Sequence, residues 1–272
     1  MRRCWLLVSS LLFPVLFPVA LAGQSSATAS RLGVIAQFER IADIFGGQLV
    51  AAFDSIPASR YEYRPTPLQQ TVGYIAQHVE NANYSLCERL GSARHARTSK
   101  DSLRDSVKAH WPKDTLVRRL DASLRFCDTA IEQLTDVDSP ALASNLLLFE
   151  TDLAEHYSQI AGYMRLLGLV PPSALPPRPR VAIELPASAL AQFVGTYDMG
   201  LATSLIVSTQ DGALMARGSA GGESVRLWPE SATEFFVKEV DAQITFVRDA
   251  GGKVTGLILH QYGRDKKATR VR

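Results

Sequence analysis

Along residues 146–172, apolar side chains recur at spacings of three and four: Phe149, Leu153, Tyr157, Ile160, Met164 and Leu167. That period puts them on one stripe and predicts a long amphipathic helix. Gly168 supplies a stop, and Pro171 and Pro172 forbid continuation. Three further segments share the period. Ile35, Phe38, Ile41, Phe45, Leu49 and Phe53 predict a helix over about 32–53, in which Gly46-Gly47 suits close packing against a neighbour. Val72, Ile75, Val79, Ala82 and Leu86 predict a second over about 67–90, closed by Gly91. Leu116, Leu120, Leu124, Cys127 and Ile131 predict a third over about 114–134, with Asp114 as N-cap. Residues 23–30 are polar and read as disordered, and a short helix is expected near 100–109. Short or moderate connections between four helices argue for an antiparallel four-helix bundle over 30–169.

Beyond 188 the period shortens. Eight β-prone runs follow, near 192–199, 204–209, 214–218, 225–228, 234–238, 243–248, 253–262 and 267–271. Asp211-Gly212 and Gly251-Gly252 are hairpin signals. A helical turn over 188–192 precedes them. Many short strands in succession predict a small antiparallel barrel over 188–272. Between the two regions, residues 170–187 hold six prolines and read as an extended linker. The fold class is therefore multidomain α plus β.

The first 22 residues differ from the rest. Arg2 and Arg3 precede a nearly unbroken apolar run, and Ala20-Leu21-Ala22 is a small-x-small cut site. This pattern predicts a secretory signal peptide and a periplasmic or secreted protein with no membrane span after cleavage. Pro14 and Pro18 interrupt the run, and Cys4 lies well upstream of the cut. The whole chain carries 29 Lys plus Arg against 27 Asp plus Glu. Losing Arg2 and Arg3 makes the mature chain neutral, which argues against a nucleic-acid partner. Cys87 and Cys127 remain, and an oxidising compartment invites a disulfide between them; two buried thiols are the other reading.

Two polar residues interrupt the apolar face of the last helix. Asp152 and His156 are four apart, so both project from one side. The pair is either an ion pair at a helix edge or two ligands of one metal ion. Bundle interiors are where such sites are built from facing helices, and His78 lies beside the buried face of the second helix. Two imidazoles and one carboxylate would leave open positions on the ion.

The stretches VGYIAQHVENANYSLCERLG, around His78, and DLAEHYSQIAGYMRLLGLVPPS resemble the DinB-like superfamily of four-helix-bundle proteins, over about residues 30–173. In that family one His of the second helix and an H-x-x-x-H pair of the fourth bind a divalent metal. The resemblance places those ligands at His78, Asp152 and His156, with Asp152 where the family usually has His. The implied cofactor is zinc, nickel, iron or manganese. The C-terminal part, from Phe193-Val194-Gly195-Thr196-Tyr197 through Leu227-Trp228-Pro229-Glu230 to Gly256 and Leu259, resembles the lipocalin-like β-barrel module that follows beta-lactamase-like serine hydrolases. The hydrolase's own S-x-x-K set is missing from the sequence.

Two functions fit this reading. One is an exported metal-dependent hydrolase or transferase, with Glu155 as a candidate base and the substrate unspecified. The other is a non-catalytic periplasmic binding or scaffold protein, with a decayed metal site and a barrel that takes a small molecule or cell-envelope ligand. A homodimer is compatible with either.

Overall fold

The computed structural model describes residues 21–271 apart from 97, 138 and 220, with side chains described from Gly33 onward. The expected signal peptide lies almost wholly outside the described residues. Four long helices come first: α1 (Leu21–Ser55), α2 (Val72–Cys87), α4 (Lys113–Glu132) and α5 (Pro140–Leu166), with the single turn α3 (Asp105–Lys108) before α4. A short helix α6 (Ala187–Ala191) leads into eight strands, β1 (Gly195–Gly200), β2 (Thr203–Gln210), β3 (Ala213–Gly218), β4 (Val225–Pro229), β5 (Glu234–Phe236), β6 (Ala242–Arg248), β7 (Val254–Gln261) and β8 (Arg264–Arg270). Each strand pairs with its sequence neighbour, and β1 pairs with β8, so the sheet closes into an antiparallel barrel.

The apolar stripes face one another. Leu49, Phe53, Ile75, Leu120, Phe149 and Ile160 are all fully buried in one core. α5 stops as its sequence requires. Gly168 takes φ 75, its N–H bonds Arg165 O at 3.0 Å, and the Leu169 N–H bonds Met164 O at 2.8 Å, the double bond of a Schellman cap. α2 instead ends at Cys87, and Gly91 plays no capping part. Residues 23–30, read as disordered, are helical within α1.

The helix directions correct one expectation. Glu80 meets Arg119 at 2.6 Å, Asn83 meets Ser123 at 2.9 Å, and Cys87 is bonded to Cys127. These pairs advance together along both chains, so α2 and α4 run parallel rather than antiparallel. α1 and α5 also run parallel, with Glu150 near Arg40 and Asp43 and, one step on, Tyr157 beside Phe45. The other two neighbouring pairs are antiparallel: Asp54 meets Lys113 while Gly46 faces Leu124, and Gln70 meets Tyr163 while His78 faces His156. The physical cause is the connection 88–112, which is long enough to carry the chain back along α2 before α4 begins. It is pinned as it passes: Arg119 also holds Asp101, and the buried Lys108 bonds Asn81 at 3.0 Å and Asp105 at 3.1 Å. The disulfide therefore joins parallel helices. No helix among the described residues is long and apolar enough to cross a membrane.

The barrel is filled by its own side chains. Phe193, at the end of the α6 turn, is fully buried and meets Phe235 edge to face at 5.1 Å and the tilted ring of Phe246 at 4.4 Å. The Tyr197 hydroxyl donates to Phe193 O at 2.7 Å. Asp211 and Gly212 make the β2–β3 turn with φ 50 and 76, the left-handed pair that a tight hairpin demands. The linker follows the barrel wall: Ile183 N–H bonds Pro229 O at 2.9 Å, and Arg180 pairs with Glu230.

The turn between β7 and β8, Tyr262-Gly263, presses on α1. A Cβ added at Gly47 would lie 1.8 Å from Tyr262 O. Arg264 then reaches Asp121 and Asp128 of α4, each at 3.5 Å, and Lys266 reaches Glu39 of α1 at 2.5 Å. Gly47→Ala should therefore part the barrel from the helices. The expected cost is about 1–3 kcal/mol, as for other overpacked sites, with faster proteolytic cutting within 170–187. Unchanged cutting and stability would show that the contact is dispensable.

Candidate metal centre

His78 stands on α2, one turn after Tyr74, and the two rings lie parallel at 6.2 Å. Asp152 and His156 stand one turn apart on α5, where the antiparallel packing of α2 and α5 aims them at His78. The His78 and His156 rings meet edge to face at 5.0 Å. His156 Nε2 lies 3.5 Å from Asp152 Oδ1. One ligand atom from each of the three residues falls within 4.8 Å of the other two, and no other such group occurs among the described residues.

A tetrahedral ion with bonds near 2.0–2.1 Å sets its donors roughly 3.4 Å apart. The His156–Asp152 separation already matches that edge. The wider separations close by about an ångström of side-chain rotation, within the range of an exchange between rotamers. A second observation also fits an ion. Asp152 Oδ2 is buried and accepts no hydrogen bond among the described residues. A buried carboxylate oxygen without a donor is costly unless a cation or water completes it.

Neighbours fix the ligands. His156 Nδ1 lies 3.2 Å from Gln159 Oε1, which selects the tautomer with the proton on Nδ1 and leaves Nε2 free to face Asp152. The Gln159 amide donates to the Tyr163 hydroxyl at 3.4 Å, and that hydroxyl donates to Gln70 O at 3.2 Å, tying the relay to the start of α2. Burial favours neutral His156. The hydrogen bond and charge of Asp152, Gln159 and the more distant charge of Glu155 outweigh it, so the pKa rests above the usual histidine value. Glu155 itself is exposed, on the outer side of α5, and is not placed as a base. The Cys87 and Cys127 sulfurs are bonded to each other and offer no thiolate. Gln159 and Tyr163 escaped the sequence reading. Their spacing from His156, three and then four residues on, is the signal that could have found them.

A second group of titrating side chains lies where α1 and α4 meet the barrel. Asp43 of α1 accepts no hydrogen bond and forms no ion pair among the described residues. Burial first, opposed by Lys266 and reinforced by Glu39, pushes its pKa up to about 6. In the unfolded chain it returns to the ordinary aspartate value, so the folded state holds the extra proton and loses stability as pH rises from about 4 to 6. Asp43→Asn should be neutral near pH 4 and stabilise by about 1–3 kcal/mol above pH 6. Equal unfolding midpoints for the two proteins at pH 7.5 would contradict this.

A family model described as a domain of unknown function (DUF3471) matches residues 179–270. The match takes in the barrel and begins in the proline-rich segment, where Arg180 and Ile183 already lie against the barrel wall. No curated protein matches the chain.

Proposed function

We propose that the chain is an exported, divalent-metal-binding protein with a DinB-like helical bundle, and that it acts as a metal-dependent hydrolase. The convergence of His78, Asp152 and His156 ligand atoms within 4.8 Å carries this reading. The donor set is two neutral nitrogens and one carboxylate oxygen, which suits zinc, nickel, iron or manganese. Bound there with open positions, such an ion would lower the pKa of a water enough for hydrolysis at neutral pH. His78 and His156 would hold the ion through nitrogen, and Asp152 would supply the local negative charge. Gln159 would keep the His156 lone pair turned toward the ion. The lipocalin-like barrel serves here as a docked support, because its bore is closed by Phe193, Phe235 and Phe246.

The experiment is a metal titration of untagged, chelator-stripped protein, followed by assay of the loaded forms against ester, amide and phosphoester substrates. Uptake of one ion with turnover of one class supports the proposal. Uptake without any turnover leaves a binding protein and removes the hydrolase reading.

A further inference from the structure

A cleft of about 390 Å³ opens at the start of α4, between that helix and the 88–112 connection. Leu103, Trp111 and Pro112 supply its apolar lining, and Lys100, Arg118 and Arg119 supply its charge. No acid lines it. Other clefts of the chain are balanced. The one between α1 and the barrel sets Arg40, Arg264 and Lys266 against Glu39 and Asp43, and the one beside Lys108 holds Glu80, Asp101 and Asp105. The whole chain carries a formal charge of only +2, so the excess here is local.

The three cations differ. Arg119 is committed to Glu80 and Asp101, and its guanidinium carbon stands 4.9 Å from the centre of the Trp111 ring. Its Nε–H is buried and donates to nothing among the described residues. The side chains of Lys100 and Arg118 are exposed and form no hydrogen bond or ion pair among the described residues. Asp114 and Asp121 line a separate cleft beside Gly47 and Tyr262, which Arg118 also borders, and neither pairs with it.

A cleft with apolar walls and one sign of charge concentrates counter-ions, because the low-dielectric walls focus the field. An inorganic anion would answer the cations but leave Leu103, which is 42% exposed, and the Trp111 ring in water. A neutral apolar molecule would cover the wall and leave the cations unanswered. An anion with an apolar body uses both halves, and the flat Trp111 ring suits a flat body. Arg118 offers the planar fork that matches a carboxylate.

We propose that this cleft binds a small aromatic carboxylate, its ring against Trp111 and its carboxylate on Arg118 and Lys100. The reading is independent of the metal centre, since none of His78, Asp152 and His156 lines the cleft.

The test is isothermal titration of the full exported chain with 2-naphthoate, after removal of metal so that no ion can hold the carboxylate. Two controls divide the ligand: 2-naphthalenemethanol, which keeps the rings without the charge, and acetate, which keeps the charge without the rings. One-site binding of 2-naphthoate, tighter than either control, is expected. Arg118→Glu and Lys100→Glu should each weaken it roughly ten- to a hundredfold, the worth of a hydrogen bond to a charged group. Both side chains are exposed and unpaired, so the melting midpoints should stay at the wild-type value and a loss of binding is not unfolding. Thr115→Trp, which fills the cleft, should abolish binding. Equal binding of either control, undiminished binding by the two Glu variants, or retained binding by Thr115→Trp would overturn the proposal. So would no saturable binding of 2-naphthoate at concentrations up to about 5 mM.

Discussion

Replacing His156 with alanine is expected to turn a protein that binds one divalent ion into one that binds none at micromolar metal. His156 is the buried member of the set, 8% exposed, and it is the residue both Asp152 and Gln159 contact. Its removal leaves one imidazole and one carboxylate, too few donors to hold a first-row ion against water. The loss should exceed the ten- to hundredfold typical of removing an outer partner. Gln159→Ala should fall within that smaller range, because it frees the His156 tautomer without taking away a ligand. Asp152→His restores a third imidazole and should retain or tighten binding. Isothermal titration with zinc and manganese measures all three. The order wild type, Gln159→Ala, His156→Ala in falling affinity is the expected outcome. Equal affinities across the series would place the ion elsewhere.

The second large effect concerns the disulfide. Cys87 and Cys127 are both fully buried and are separated by 40 residues. Closing a loop of that size stabilises by about 4 kcal/mol on the chain-entropy model. Cys87→Ala with Cys127→Ala is expected to lower the unfolding midpoint by roughly 8–16 °C, given the usual slope for a chain of this size. The same bridge ties the start of the 88–112 connection to the far part of α4, so opening it should also expose that connection to protease. Melting curves within two degrees of wild type, under non-reducing conditions, would contradict this account.

Much of the architecture could be read from periodicity, and one part could not. The α5 stripe, its Gly168 stop and the Asp211-Gly212 turn each follow from local chemistry: a period of 3.6, or a φ that glycine accepts. Direction is not local. The Val72, Ile75 and Val79 stripe says which face of α2 is buried but not whether its neighbour runs up or down. That emerges only from the matched steps Glu80–Arg119, Asn83–Ser123 and Cys87–Cys127. The cysteine pair was legible as a pair, although the antiparallel packing expected to join it was not what the chain adopts.

The candidate sites divide in the same way. Asp152 and His156 share a helix face by spacing alone, and His78 joined them from its place beside the buried face of α2, a set that the family resemblance also implies. The docking of barrel on helices was invisible, because it depends on the Tyr262 turn landing on Gly47. In the sequence Arg264 and Lys266 are two charges on an outer strand. Only docking brings them against the acids of α1 and α4.

The most direct test of the central claim is elemental analysis of untagged protein purified from its native compartment without chelator. The account predicts close to one equivalent of a first-row divalent metal per chain, and its loss in His156→Ala purified alongside. A metal-free wild type that also takes up no zinc, manganese, iron or nickel at micromolar concentration would contradict it.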